Sequence, residues 1–146
     1  MNSSSPSRGR WILAIGAVIM AGSCFLQWWQ IGGNGNDELS RITANGFNQM
    51  TGSVYLMFLA AVASLFLVTL PFASEKPIAI DNPLSYLVLL GLAVLGYGFA
   101  VMNLTMKNLV PFPPQQGLGF WIAIFGLIFF ARGIFEMHEE RQNRLY

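Results

Sequence analysis

The chain of 146 residues is 54% hydrophobic and only 10% charged, with a net charge of +1. A soluble domain of that composition would lack the polar side chains needed to cover its surface, whereas lipid accepts apolar groups facing outward. The near-neutral balance and the lack of any basic cluster in the loops exclude a phosphate-tracking surface, so nucleic acid is not expected as a partner.

Lys, Arg, Asp and Glu are confined to the gaps and tails around four uncharged stretches, Trp11–Asn36, Ile42–Ser74, Asn82–Met106 and Asn108–Ala131. Each holds an apolar run of about 20 residues, the length an α-helix needs to cross a hydrocarbon core of about 30 Å. The expected fold is an all-α membrane protein with four transmembrane helices in a bundle, one domain over residues 1–146. Spans are expected at about 11–29, 53–73, 84–102 and 118–135, with cytoplasmic tails 1–10 and 136–146.

The first span is entered from Arg8-Gly9-Arg10 and left through Trp28-Trp29. Trp11, Trp28, Trp29 and, in the fourth span, Trp121 are expected as interface anchors, because indoles favour the headgroup level. Loop one, Gln30–Gly52, is rich in Gly and Asn and reads as a turn segment. Its Asp37-Glu38 pair lacks the alternating acids of a calcium loop. The second span ends near Pro71, ahead of Ser74-Glu75-Lys76-Pro77. Asn82 is the expected N-cap of the third span and Pro83 its first helical residue. Pro111-Phe112-Pro113-Pro114 forms a loop before the fourth span, which starts at Leu118. Arg132, in the last turns of that span, is expected to reach the inner interface along its own stem. Pairs four apart, Arg132–Glu136 and Glu140–Arg144, suggest that the helix continues beyond the bilayer.

Small residues four apart place two small side chains on one helical face and let backbones approach. The pairs are Ala17 and Ala21, Ala60 and Ser64, Gly96 and Ala100, and Gly119 and Ala123. Span three, with Gly91, Ala93, Gly96, Gly98 and Ala100, is the expected central helix.

Reactive groups are scarce. Spans one to three contain no Asp, Glu, Lys, Arg or His, which argues against a pump or a proton-coupled carrier. The single histidine, His138, follows span four, so no imidazole lies at membrane depth to hold a haem, and Met137-His138-Glu139-Glu140 is not a zinc-peptidase motif. No cofactor, metal site or catalytic residue is expected. Cys24 is the one cysteine, which removes disulfide frameworks. Met20-Ala21-Gly22-Ser23-Cys24 loosely fits a lipoprotein cleavage site, but the apolar run continues past it at spanning length, so an unprocessed helix is expected.

Phe25-Leu26-Gln27-Trp28 closing span one, Gly46-Phe47 in the outer loop and Thr51-Gly52 opening span two resemble small bacterial four-helix membrane proteins, many of which have Phe-Leu-Pro-Trp at that point. The resemblance implies a bacterial inner-membrane setting, the cell membrane of a multi-pass protein, and transfers no functional residue. The leading expectation is a non-enzymatic protein that works by packing: an accessory or scaffold subunit of a larger membrane complex, or a homo-oligomer. Its partners would be the lipid bilayer and other transmembrane subunits or copies of itself. The alternative is a channel or carrier built from several copies, with Ser23, Gln27, Ser64 and Thr69 along the path.

Basic residues near span ends resist translocation. With both termini inside, the inner side holds Arg8, Arg10, Lys76, Arg132, Arg141 and Arg144, and the outer side only Arg41 and Lys107. That distribution predicts N-in/C-in. In a Cys24→Ser background, Asn36→Cys should label from outside with an impermeant thiol reagent and Ser5→Cys only after the membrane is opened. The opposite pattern would invert the topology.

Overall fold

In the computed structural model, which describes residues 7–31, 42–45, 53–73, 82–106 and 117–143, four helices and a two-stranded ribbon follow one another along the chain. They are α1 (Arg8–Ser23), β1 (Gln27–Ile31), β2 (Ile42–Asn45), α2 (Ser53–Ala73), α3 (Pro83–Met106) and α4 (Leu118–Asn143). The fold is helical, as composition requires, and α2, α3 and α4 are each long and apolar enough to cross a membrane. Residues 74–81 between α2 and α3, most of loop one and residues 107–116 between α3 and α4 lie outside the described residues.

Local chemistry explains the boundaries. Ser7 caps α1, its Oγ accepting from the Arg10 amide at 3.4 Å. Pro83 opens α3, where its missing N–H costs nothing, and the Ser85 amide donates to the Asn82 carbonyl at 2.9 Å. The Asn82 carboxamide is engaged elsewhere, its oxygen accepting from Arg141 at 2.7 Å. Pro71 falls inside the last turn of α2, which still reaches Ala73. α4 runs on to Asn143, well past the expected edge of the bilayer, and carries the expected Arg132–Glu136 pair at 3.1 Å.

The first span departs from expectation. α1 stops at Ser23 after 16 residues, about 24 Å, instead of continuing to Trp29. Its end tightens through three-residue bonds: Cys24 N to Ala21 O at 3.3 Å, Phe25 N to Gly22 O at 3.1 Å and Leu26 N to Ser23 O at 3.2 Å. Gln27–Ile31 then leaves the helix and pairs antiparallel with Ile42–Asn45. An apolar run has no mark that separates a buried helix from a strand, and Trp-rich segments suit strands well.

α1 and α4 form the most extensive helix contact, running antiparallel through a glycine seam. Along α1 the seam reads Gly9, Leu13, Gly16, Met20, and along α4 Gly119, Ala123, Gly126, Phe130, Gly133, Met137, all of them buried. Large side chains of one helix face glycines of the other, Met137 against Gly9, Leu13 against Gly133 and Met20 against Gly126, while Gly16 lies directly on the backbone of Phe129 and Phe130. A Cβ on Gly126 would stand 2.8 Å from the Met20 nitrogen, and one on Gly133 2.5 Å from that of Leu13, so no side chain fits. With little hydrophobic drive between helices in lipid, such backbone proximity supplies the dispersion contact that holds them.

The centre of the bundle is therefore the α1–α4 pair, and α3 is not the central helix expected from its glycine content. α3 packs chiefly on α2, where Gly96 lies against the Ser53 carbonyl and the Met57 amide, while Gly91 and Gly98 face open space. Leu59, Phe66, Leu84, Leu95, Phe125 and Ile128 stay exposed on the outer faces of the helices, the surface lipid would cover.

Gly16→Ala and Gly126→Ala should each lower stability by about 1–3 kcal/mol, since a methyl group there must push two backbones apart. Gly22→Ala, whose added Cβ meets nothing within 4 Å, is the matched control and should be neutral or mildly stabilising. Thermal unfolding in mild detergent would read the difference.

Candidate functional site

Three places outside ordinary bundle packing have the geometry to do something: an aromatic corner at one end, a charged end with a groove, and the outer face of α3. Each follows from the helix ends and faces just described.

The aromatic corner begins with a β-bulge. Gln27 pairs with Asn45 and Trp29 with Ala44, so Trp28 is the extra residue between them, and the bulge turns its side chain inward. Trp28 is fully buried, and its indole Nε1–H donates to the Ser23 carbonyl at 2.8 Å. That carbonyl is among the last of α1 and also accepts from the Leu26 amide, so the tryptophan adds a side-chain donor at the end of the helix from which the chain has just departed. The ring lies 5.8 Å from Tyr97 of α3 and 6.2 Å from Phe120 of α4, the latter edge-to-face. Tyr97 Oη donates to the Phe120 carbonyl at 3.4 Å. Gly117 and Gly119 make the room: a Cβ on Gly119 would lie 2.6 Å from Trp28 Cδ1, and one on Gly117 would strike the Trp28 carbonyl. The corner ties the ribbon to α1, α3 and α4 and leaves no reactive group facing solvent.

At the opposite end the first turn of α1 meets the last turns of α4. Arg8 Nε lies 3.7 Å from Glu136, which also takes Arg132 at 3.1 Å, and the Gly9 amide donates to Glu140 at 3.3 Å. These contacts join the start of α1 to the end of α4, so residues 8 and 140 sit at one end of the bundle. On the other side of α4, Arg141 reaches Asn82 at the start of α3. Between these two helices lies an apolar groove of about 660 Å³, walled by Leu87, Leu90, Ile134 and Phe135, with His138 and Arg141 at its polar end. Gln142 Nε2 stands 3.2 Å from His138 Nε2. Among the described residues, no three of His, Cys, Asp and Glu gather in a cluster fit for a metal.

The outer face of α3 repeats the seam. Gly91, Leu95, Gly98 and Met102 have the spacing and residue types of Gly9, Leu13, Gly16 and Met20 of α1. Here, among the described residues, nothing lies within 4 Å of a Cβ built on either glycine, and Leu95 and Met102 are exposed.

The residues singled out in the sequence distribute unevenly. Ala17, Ala60, Ser64, Gly96, Ala100, Gly119 and Ala123 are buried, and Ala21 is half-buried against the core. They do not form one surface: Gly96 serves the α2 contact, and Gly119 seats Trp28. Among the anchors, Trp11 and Trp121 are exposed and Arg132 is exposed beside its glutamate. Trp28 is corrected from a headgroup anchor to a core residue, because the bulge turns it inward; the Trp29 side chain lies outside the described residues. Of the hydroxyls named for a channel path, Ser23 donates to Met20 O at 2.6 Å, Ser64 to Ala60 O at 2.7 Å and Thr69 to Phe66 O at 2.8 Å. Each is satisfied by its own helix. Cys24 is buried, its thiol donating to Met20 O at 3.4 Å.

Sequence reasoning missed Gly9, Gly16, Gly126 and Gly133, since it looked for small residues four apart. A seven-residue glycine repeat with a large residue between repeats was the available signal. Comparison with protein-family models, curated proteins and solved structures finds no match.

Trp28→Ala should cost about 3–5 kcal/mol, the scale for emptying a buried aromatic site. Trp28→Phe should recover part of that loss and still leave the Ser23 carbonyl without its indole donor. Unfolding midpoints in detergent would rank the two variants, and a Trp28→Phe midpoint equal to that of the wild type would mean that the capping bond contributes nothing.

Proposed function

We propose that this chain is a non-enzymatic integral membrane protein of the bacterial inner membrane that acts by packing, as an accessory or scaffold subunit of a larger complex or as a homo-oligomer. In this reading α1 is the fourth span. It lies antiparallel along α4, and Trp11, Ile15, Val18 and Phe25 expose an apolar face that lipid would cover. The bundle then has both termini in the cytoplasm and the β1–β2 ribbon outside, in line with the basic residues at the ends.

The observation that carries the proposal is the open stripe on α3. The pattern Gly91, Leu95, Gly98, Met102 has the form of the α1 stripe that seats on α4, yet among the described residues nothing lies within 4 Å of a Cβ on either glycine. Glycine in a helix interior costs about 1 kcal/mol relative to alanine, so two of them on a lipid-facing stripe suit a surface that another helix approaches closely. The aromatic corner and the seam hold the bundle rigid, which is what a scaffold needs from its own core.

Gly98→Leu and Gly91→Leu should weaken assembly without lowering monomer stability, which should hold or rise by up to about 1 kcal/mol as a glycine leaves the helix interior. Gly96→Leu, which would collide with α2, should lower stability itself. Native mass and co-purified chains in mild detergent read the first effect, and thermal unfolding reads the second. Wild-type protein that runs as a single chain, alone, in both detergent and lipid discs would overturn the proposal.

A further inference from the structure

We infer that the groove between α3 and α4 holds an acyl chain of an anionic phospholipid, with the lipid phosphate at Arg141. The inference needs α4 to stand in a bilayer and is independent of the assembly stripe on α3. The cavity, about 660 Å³, falls within the range of small-molecule sites, and its wall of Leu87, Leu90, Ile134 and Phe135 offers a chain nothing polar. Such a wall alone would accept any lipid, and the choice of headgroup lies at its polar end.

Charge is divided between two sides of α4 at that end. Glu136 is held by Arg8 and Arg132, and Glu140 accepts from the Gly9 amide, so both carboxylates are committed toward α1. Glu139 is exposed and does not line the groove. Arg141 does line it, and its partner there is the neutral Asn82, at 2.7 Å. A guanidinium carries five N–H donors in a fork matched to phosphate oxygens, and this contact uses one of them. The His138 ring and the Gln142 amide stand on the same rim.

Depth also fits. Arg141 lies six residues beyond Phe135, about 9 Å along the helix axis, where the headgroup layer begins to give way to water. Helical side chains lean toward the N-terminus of their helix, which on α4 points the guanidinium back toward the bilayer.

The test uses the purified full-length chain in mild detergent, titrated with phosphatidylglycerol or phosphatidylcholine of identical acyl chains and read as retained adducts by native mass spectrometry. Wild type should retain the anionic lipid about five-fold over the zwitterionic one, the preference expected from one basic residue at a lipid surface. Arg141→Gln should abolish the preference while some retention of both lipids persists, and Arg141→Lys should keep part of it. Ala131→Phe, which narrows the groove at an exposed position, should reduce retention of both. Arg8→Gln removes a cation at the same end but outside the groove, and should leave the preference intact. Equal retention of the two lipids by wild type, an unchanged preference in Arg141→Gln, or equal loss in Arg8→Gln would overturn the inference. A dimer that retains no lipid and falls to monomer on Ala131→Phe would overturn it as well, by assigning the groove to a second copy.

Discussion

The structure depends on how closely α1 and α4 approach. In water, two apolar helices associate because water rejects them; in lipid that drive is nearly absent, and contact must be held by dispersion between well-fitted surfaces. The seam meets this demand by alternating glycine with larger residues on both helices, so that Leu13, Met20 and Met137 each fill the gap opposite a glycine and Gly16 lets two backbones touch. Backbone then lies against side chain along the buried length of α1. Only 16 residues long, α1 has few other means of staying in register with the 26-residue α4.

Both ends of the molecule are built from this pair. At one end, the antiparallel seam brings the Ser23 carbonyl beside the first turn of α4, where Gly117 and Gly119 leave space for Trp28. The indole donates to that carbonyl beside the Leu26 amide, and the bulge relieves the strand of the residue that carries it. At the other end the seam closes with Gly9 beside Met137, which brings Arg8 to Glu136 and the Gly9 amide to Glu140. Exposed ion pairs of this kind contribute little to stability individually. Their consequence is directional, because they draw Glu136 and Glu140 toward α1 and leave Arg141 on the groove side.

A division of labour among the helices follows. α1 and α4 form the rigid centre, α2 and α3 are packed beside it, and α3 keeps the most open face of the long helices. Among the described residues, Ser23, Ser64 and Thr69 bond within their own helices, and Glu136 and Glu140 are committed toward α1. Two surfaces remain open: a copy of the packing pattern on α3, and an apolar groove with Arg141 at its rim.

Composition and charge distribution by themselves determined the class of protein. The positions of α2 and α3, and the start of α4, followed from Pro, Ser and Asn at their ends, since those residues act on the local backbone whatever the tertiary context. The extension of α4 was also legible, in the four-residue spacing of Arg132 and Glu136. Other features could be decided only in three dimensions. Gly9-Leu13-Gly16-Met20 and Gly91-Leu95-Gly98-Met102 are the same pattern, and local sequence has no term to say that the first meets a partner helix within the chain while the second does not. The end of α1 was hidden for a related reason: Phe25-Leu26-Gln27-Trp28 is as apolar as the helix before it, and it turns because the strand pairing with Ile42–Asn45 and the pocket at Gly117 and Gly119 take up its backbone and its indole. Both supports come from residues distant in the chain, and only folding brings them to Trp28.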